Sequence, residues 1–396
     1  MPPEAQASED LRPHWRASWG LSARRFAAPT IKVPRVGLPE PPGCHHRCPP
    51  PSKPSGGNPS RRASENSGRI SVSVQAGAIL RLVPVSIRLG ISLWPQGATW
   101  EELRSSSLRV DALGYDSLWS YDHFIALGPD PTVPVFDGWT AIAALASLTL
   151  RSRLGILVTG VTHRNPAILA KMAATLDHLS GGRAILGLGA AWNEVEHWAY
   201  GIPFPQVGQR LALLDEACTV IRSLFDDDVT TFKGEHCVVH DAVLWPKPIQ
   251  ARLPILIGGG GERKTLRIVA QHADLWNAFG TPDVVTHKLG VLHEHCIAVG
   301  RDPAKIGVTL NTGVIIRDSA AAVQARLAEI GEVAGFPDYA ASNQPYGTAE
   351  MVAQRLAEYV KVGVSEVIAV IPAPYDGETI ERLATEVRPR VDALLS

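Results

Sequence analysis

Three stretches of this 396-residue chain combine residue types that can do chemistry. Ser120-Tyr121-Asp122-His123-Phe124 sets a carboxylate beside an imidazole between aromatic rings, a grouping that can orient a planar ligand or move a proton. The plainer reading makes Asp122 a helix cap and His123 a half-buried histidine. Gly187-Leu188-Gly189-Ala190-Ala191-Trp192-Asn193-Glu194 offers small residues that let backbone approach a ligand, and Asn193 supplies an amide for a carbonyl or ring nitrogen. A turn capped by Asn193 is the alternative there. Gly258-Gly259-Gly260-Gly261-Glu262-Arg263-Lys264-Thr265 exposes backbone N–H groups just before a helix start, where the helix dipole favours an anion. Arg263 and Lys264 add charge and Thr265 a hydroxyl, although the run also reads as a flexible loop. A phosphate cradle on one side and a polar-aromatic pocket on the other suit a flavin-like cofactor.

Other chemistries lack their residues. There is no G-K-[ST] phosphate loop and no Gly-x-Ser-x-Gly, so an NTPase and a serine hydrolase are disfavoured. No Cys, His and carboxylate cluster after residue 85 has metal-ligand spacing, so no metal is expected. Cys44-His45-His46-Arg47-Cys48 lacks the second ligand pair that a tetrahedral zinc site needs. The five cysteines are scattered and odd in number, which points to a reducing cytoplasm rather than a disulfide scaffold. No apolar run reaches the ~18 residues needed to span a bilayer.

Elements that could position these residues begin near Ser86. Before it, residues 1–85 hold 14 of the 31 prolines and carry ten Arg and two Lys against five acidic residues. That composition cannot bury enough apolar surface to offset chain ordering, so a disordered Pro/Arg-rich extension is expected over residues 1–85. The remaining body is acidic, which argues against nucleic acid as a partner. Over 86–396, β-branched runs alternate with helical stretches. Strands are expected at Ile87–Leu93, Ser117–Tyr121, Arg153–Thr159, Arg183–Leu188, Pro254–Gly258, Ala273–Ala278, Gly307–Ile315 and Glu366–Ile371. Asn165-Pro166 reads as a helix start and Gly181 as its stop. This order predicts an α/β TIM (β/α)8 barrel with insertions. The insertions are a hairpin within Thr230–Pro248 and a polar segment at Gly331–Tyr346, both of lid type. A doubly wound sheet would want G-x-G-x-x-G after its first strand, where Ile91-Ser92-Leu93-Trp94-Pro95 stands instead.

The body resembles the luciferase-like monooxygenase superfamily, and within it the coenzyme F420-dependent oxidoreductases. The matching stretches include Ala112-Leu113-Gly114-Tyr115-Asp116-Ser117-Leu118-Trp119, Asp122-His123-Phe124, Thr175-Leu176-Asp177-His178-Leu179-Ser180-Gly181-Gly182-Arg183, Pro246-Lys247-Pro248 and Ala273-Asp274-Leu275-Trp276-Asn277. The resemblance runs from about Arg88 to Asn277. It implies that Asp122 and His123 contact a deazaflavin headgroup and that a non-proline cis peptide near Leu157-Val158 supports the ring. It further implies that Asn193 contacts the ring and that Gly258, Gly259, Gly260 and Gly261 hold the ribityl phosphate, with Arg263, Lys264 and Thr265 assisting. Ala190 stands where the sugar-phosphate dehydrogenase branch has a glutamate, which argues against that substrate.

The implied activity is hydride transfer between F420 and a small organic substrate, with His123 as a candidate catalytic acid or base. An FMN-dependent monooxygenase is the alternative, and a non-catalytic flavin-binding relative is the reading from another class. An F420-reducing dehydrogenase or a flavin reductase would supply reduced cofactor, and a homodimer is left open. Deleting residues 1–82 should leave melting temperature and cofactor affinity unchanged, since that segment is expected to add nothing to the core. Thermal denaturation and cofactor titration of the truncated chain check this, and a drop of several degrees would refute it.

Overall fold

Local chemistry starts and stops the helices of the body. Thr99 and Glu102 form a reciprocal capping box that opens α1 (Trp100–Ala112), and Asp137 accepts the Thr140 N–H at the start of α2 (Gly138–Leu148). Asn165 caps α3 (Pro166–Ser180), whose first residue is proline and whose last is followed by Gly181 at φ 66°. The computed structural model describes residues 86–334 and 344–396. The expected extension at 1–85, with Cys44 and Cys48, and most of the expected Gly331–Tyr346 lid lie outside the described residues.

The strands are β1 (Arg88–Leu93), β2 (Ser117–Ser120), β3 (Arg153–Ile156), β4 (Thr159–Gly160) and β5 (Ala184–Gly189). Then come β6 (Thr230–Lys233), β7 (Val238–Ala242), β8 (Ile255–Gly258), β9 (Leu275–Ala278), β10 (Gly307–Gly313), β11 (Ile315–Ile316), β12 (Tyr346–Gly347) and β13 (Glu366–Ile371). Parallel pairing runs β3-β2-β1-β13-β10-β9-β8-β5, and β3 pairs back onto β5 through Leu154↔Ala184 and Gly155↔Ile185. The sheet is therefore closed, the eight-stranded α/β barrel that the strand-helix alternation implied. The expected hairpin is the antiparallel pair β6-β7. Two expected strands are interrupted. Arg153–Thr159 breaks after Ile156 into β3 and β4, and Gly307–Ile315 divides into β10 and β11. No helix among the described residues is long and apolar enough to cross a membrane.

Alternating side chains divide the apolar residues of the barrel strands into two clusters. Leu118, Ile255, Ile257, Trp276, Val367 and Ala369 join the large cluster between sheet and helices. Their chain neighbours Trp119, Leu256, Leu275 and Ile368 form a separate cluster with Ile185 inside the barrel. The interior has little room to spare. A Cβ on Gly155 would lie 2.6 Å from the Trp119 ring and from the Ile185 carbonyl oxygen, and one on Gly187 would collide with the Ile156 carbonyl oxygen.

Gly187→Ala should therefore destabilise the fold by about 1–3 kcal/mol or more, because the clash is with backbone and cannot be relieved by a rotamer change. Gly290, in the helix Pro282–Ala298, has nothing within 4 Å of a built Cβ, so Gly290→Ala should be neutral or slightly stabilising. Paired denaturant titrations measure both. Equal effects of the two substitutions would contradict the packing account.

Candidate active site

Function in a (β/α)8 barrel gathers where strands end, and Asp122 and His123 lie just past β2. The Asp122 carboxylate is buried, 2% exposed. Both of its oxygens accept from the Arg164 guanidinium, and His163 Nδ1 donates to Oδ2 at 3.4 Å. Burial pushes this carboxyl up, but the His163 hydrogen bond and the Arg164 charge outweigh it and hold Asp122 below the usual carboxylate range. Arg164 also reaches Asp137 at 3.3 Å. Asp122 caps none of the described helices. Asp137 caps the helix that follows β2.

His123 turns the other way. Its Nδ1 lies 2.9 Å from Oε1 of Glu196, a side chain that is 1% exposed. A carboxylate at neutral pH only accepts, so Nδ1 carries the hydrogen and the acceptor lone pair of the neutral ring sits on Nε2. The Phe124 N–H donates to Glu196 Oε2 at 3.0 Å, so one carboxylate fixes both the ring and the backbone beside it. Tyr121 and Trp192 meet the imidazole edge-on, with centroids 5.1 and 5.4 Å away, which further limits its rotation.

Glu196 is carried by α4 (Glu194–Ala199), a short helix that follows β5. Half-buried Asn193 precedes it and makes no side-chain cap bond. Its carbonyl oxygen accepts from His197 Nδ1 at 2.7 Å, and the Thr162 hydroxyl donates to His197 Nε2 at 2.6 Å. Burial lowers the His197 pKa below that of an ordinary histidine. Thus His163, Arg164, Glu196 and His197 all join the site, and none stood out in the sequence. The available signal was positional, since His163-Arg164 follows β4 and Glu196-His197 sits two residues past Glu194. Spacing along the chain does not show that two strand ends meet.

The Leu157–Val158 peptide bond is cis, at the position the resemblance indicates. Val158 then fills space that glycines leave open. A Cβ on Gly189 would lie 2.7 Å from one Val158 methyl, and one on Gly258 would lie 3.1 Å from the other. The small residues at these two places make room for Val158, where the sequence suggested room for a ligand. The same contacts place the ends of β4, β5 and β8 side by side.

Beyond β8, Gly259 has φ 132° and its carbonyl oxygen accepts from the Trp276 indole at 2.9 Å. Gly260, Gly261, Glu262, Arg263, Lys264 and Thr265 line a cavity of about 380 Å³ together with Leu211. Arg263 and Lys264 are exposed, while Thr265 opens α6 (Thr265–His272) and is mostly buried. A further cation arrives from the next helix, α7 (Pro282–Ala298), since Lys288 Nζ donates to the Gly260 carbonyl at 2.6 Å. The sequence had not singled out Lys288. At Ala190 the carbonyl oxygen accepts from Arg210 Nε at 3.0 Å.

Comparison with known proteins places this geometry in context. An uncharacterized protein of Mycobacterium tuberculosis is 32% identical over 177 residues, 45% of this chain and 62% of that protein. An F420-dependent glucose-6-phosphate dehydrogenase of Intrasporangium calvum is 37% identical over 164 residues, 40% of this chain and 48% of that enzyme. The chain thus spans less than two thirds of the length of either relative. Among solved structures, an F420-dependent secondary alcohol dehydrogenase in complex with an F420-acetone adduct superposes with a TM-score of 0.66 at 22% identity, covering 77% of this chain and 99% of that one. At that identity the likeness concerns the fold. The family described as luciferase-like monooxygenase matches residues 83–373, most of the chain, and the protein belongs to that family.

Proposed function

We propose that this protein is an oxidoreductase that passes a hydride between coenzyme F420 and a small organic substrate. The observation that carries the reading is His123, held at the end of β2 by buried Glu196 with its second nitrogen left for chemistry. The donor set beyond β8 fits a phosphate-bearing cofactor. A glycine run, the start of α6 and the cations Arg263 and Lys264 line one cavity, and Lys288 holds the loop from behind through the Gly260 carbonyl. F420, when bound, supplies a hydride acceptor or donor at C5 of its deazaflavin ring. The choice of F420 follows relatives whose names carry that cofactor.

The chain's own residues would do the rest. Oxidation of a hydroxyl to a carbonyl releases a hydride and a proton, and neutral His123 can take the proton on Nε2 while Glu196 keeps the ring from turning. Reduction runs the same transfer backwards from protonated His123. Trp192 and Tyr121 pack against the imidazole and help to fix its orientation. Ala190 leaves no carboxylate at that rim position, which favours substrates other than sugar phosphates. A monooxygenase using reduced FMN is the second reading, favoured by the description of the family itself. Titrating the protein separately with F420 and with FMN, read by each chromophore's fluorescence, decides between the two. Preferential saturation by FMN would overturn the F420 assignment, and binding without turnover in any substrate screen would leave a mere binder.

Two substitutions test the parts. Gly260→Val should weaken F420 binding, because a built Cβ there already lies 3.3 Å from the Lys288 chain and a branched side chain must push that cation off the loop. Wild-type affinity in this variant would place the phosphate elsewhere. His123→Ala should cut turnover by roughly 10²-fold or more, the usual scale for a positioned acid or base. Because the substitution also takes a donor from buried Glu196, some loss of melting temperature accompanies it, and near-normal kcat in a His123→Ala protein that is folded at the assay temperature would end the catalytic assignment.

A further inference from the structure

Behind His123 the structure gathers a donor set of which the proposed hydride transfer uses only the Glu196 carboxylate, as the support of His123. One ligand atom from each of His163, Glu196 and His197 can be chosen so that all three lie within 4.8 Å of one another. His163 is 3% exposed in its side chain, and its Nε2 has no hydrogen-bond partner. Nδ1 faces the anionic Asp122, so it carries the hydrogen. Nε2 is then a buried lone pair with nothing to accept from, aimed at Glu196 Oε1 3.7 Å away. His197 has the same arrangement. Its Nδ1–H is anchored on the Asn193 carbonyl, which leaves Nε2 as the lone-pair nitrogen, met by the Thr162 hydroxyl. An outer N–H held by a carboxylate or a backbone carbonyl is the support that orients metal-binding imidazoles. Each Glu196 oxygen accepts one N–H and retains a second lone pair.

We propose that His163, Glu196 and His197 form a binding site for a divalent first-row transition metal, Zn²⁺ being the probe. Two imidazoles and one carboxylate are a zinc-type donor set, and two nitrogens in three disfavour Mg²⁺ or Ca²⁺. The bound ion would tie α4 to the segment that follows β4 and engage the unpartnered lone pair of His163 Nε2. Spacing along the sequence suggested no metal here because the ligands come from two different strand ends.

The test uses the full chain, stripped by chelator and titrated with Zn²⁺ against a chromophoric competitor, then with Co²⁺ for its visible ligand-field bands. Cys44, His45, His46 and Cys48 also offer donors, so variants decide rather than stoichiometry. His163→Gln and His197→Gln should each weaken Zn²⁺ binding at least roughly tenfold and remove the nitrogen-ligand Co²⁺ bands. Thr162→Ala frees His197 Nε2 and should keep or tighten binding, which distinguishes ligation from a loss of packing. Circular dichroism checks that each variant is folded. A wild-type chain that takes up no Zn²⁺, or folded histidine variants that bind it as the wild type does, would overturn the proposal. These readouts do not depend on F420.

Discussion

Closure of the sheet is the constraint on which the rest of this molecule depends. Pairing β3 to β5 removes the last free edge, and a barrel of eight strands encloses a volume just large enough for side chains. Trp119 takes much of that volume, and Gly155 yields it by having no side chain. Glycine at 187 and 189 lets Ile156 and Val158 approach β5 as β3 gives way to β4. Several glycines that look in the sequence like a ligand-approach motif are thus first a packing solution. The ligand question moves to the rim, where strand-following segments leave the barrel.

Charge distribution at that rim is set by burial. Asp122 and Glu196 are almost wholly withdrawn from water, which is tolerated only if each finds donors. Asp122 has the Arg164 guanidinium and His163, while Glu196 has His123 and the Phe124 N–H. The two carboxylates therefore do different work. Asp122 neutralises Arg164 inside the protein, and Glu196 holds an imidazole that is 15% exposed. An orienting carboxylate behind a partly accessible histidine is compatible with the acid–base role proposed for His123. A carboxylate saturated by arginine is not.

The two ends of the site are joined through packing. His123 touches Trp192, and the same segment continues through Asn193 into the helix that carries Glu196. On its other side β5 pairs with β8, Leu188 opposite Ile257, and β8 leads into the glycine run. Movement of either β5 flank would shift His123 and the glycine run together. Lys288, from the helix after β9, adds a further attachment to that loop.

Much of this was legible beforehand. Strand-helix alternation is a local property, and hydrophobic runs, caps such as Asn165-Pro166 and stops such as Gly181 mark it directly, so the barrel and its hairpin could be read from residues alone. The pairing of Asp122 with His123 was visible because the two are neighbours in the chain. Their separate partners were not, since Arg164 and His163 follow β4 while Glu196 and His197 follow β5. Sequence determines which residues stand at strand ends. Only closure of the sheet decides which strand ends meet, because that depends on parallel register between distant segments and on whether the enclosed volume can hold Trp119.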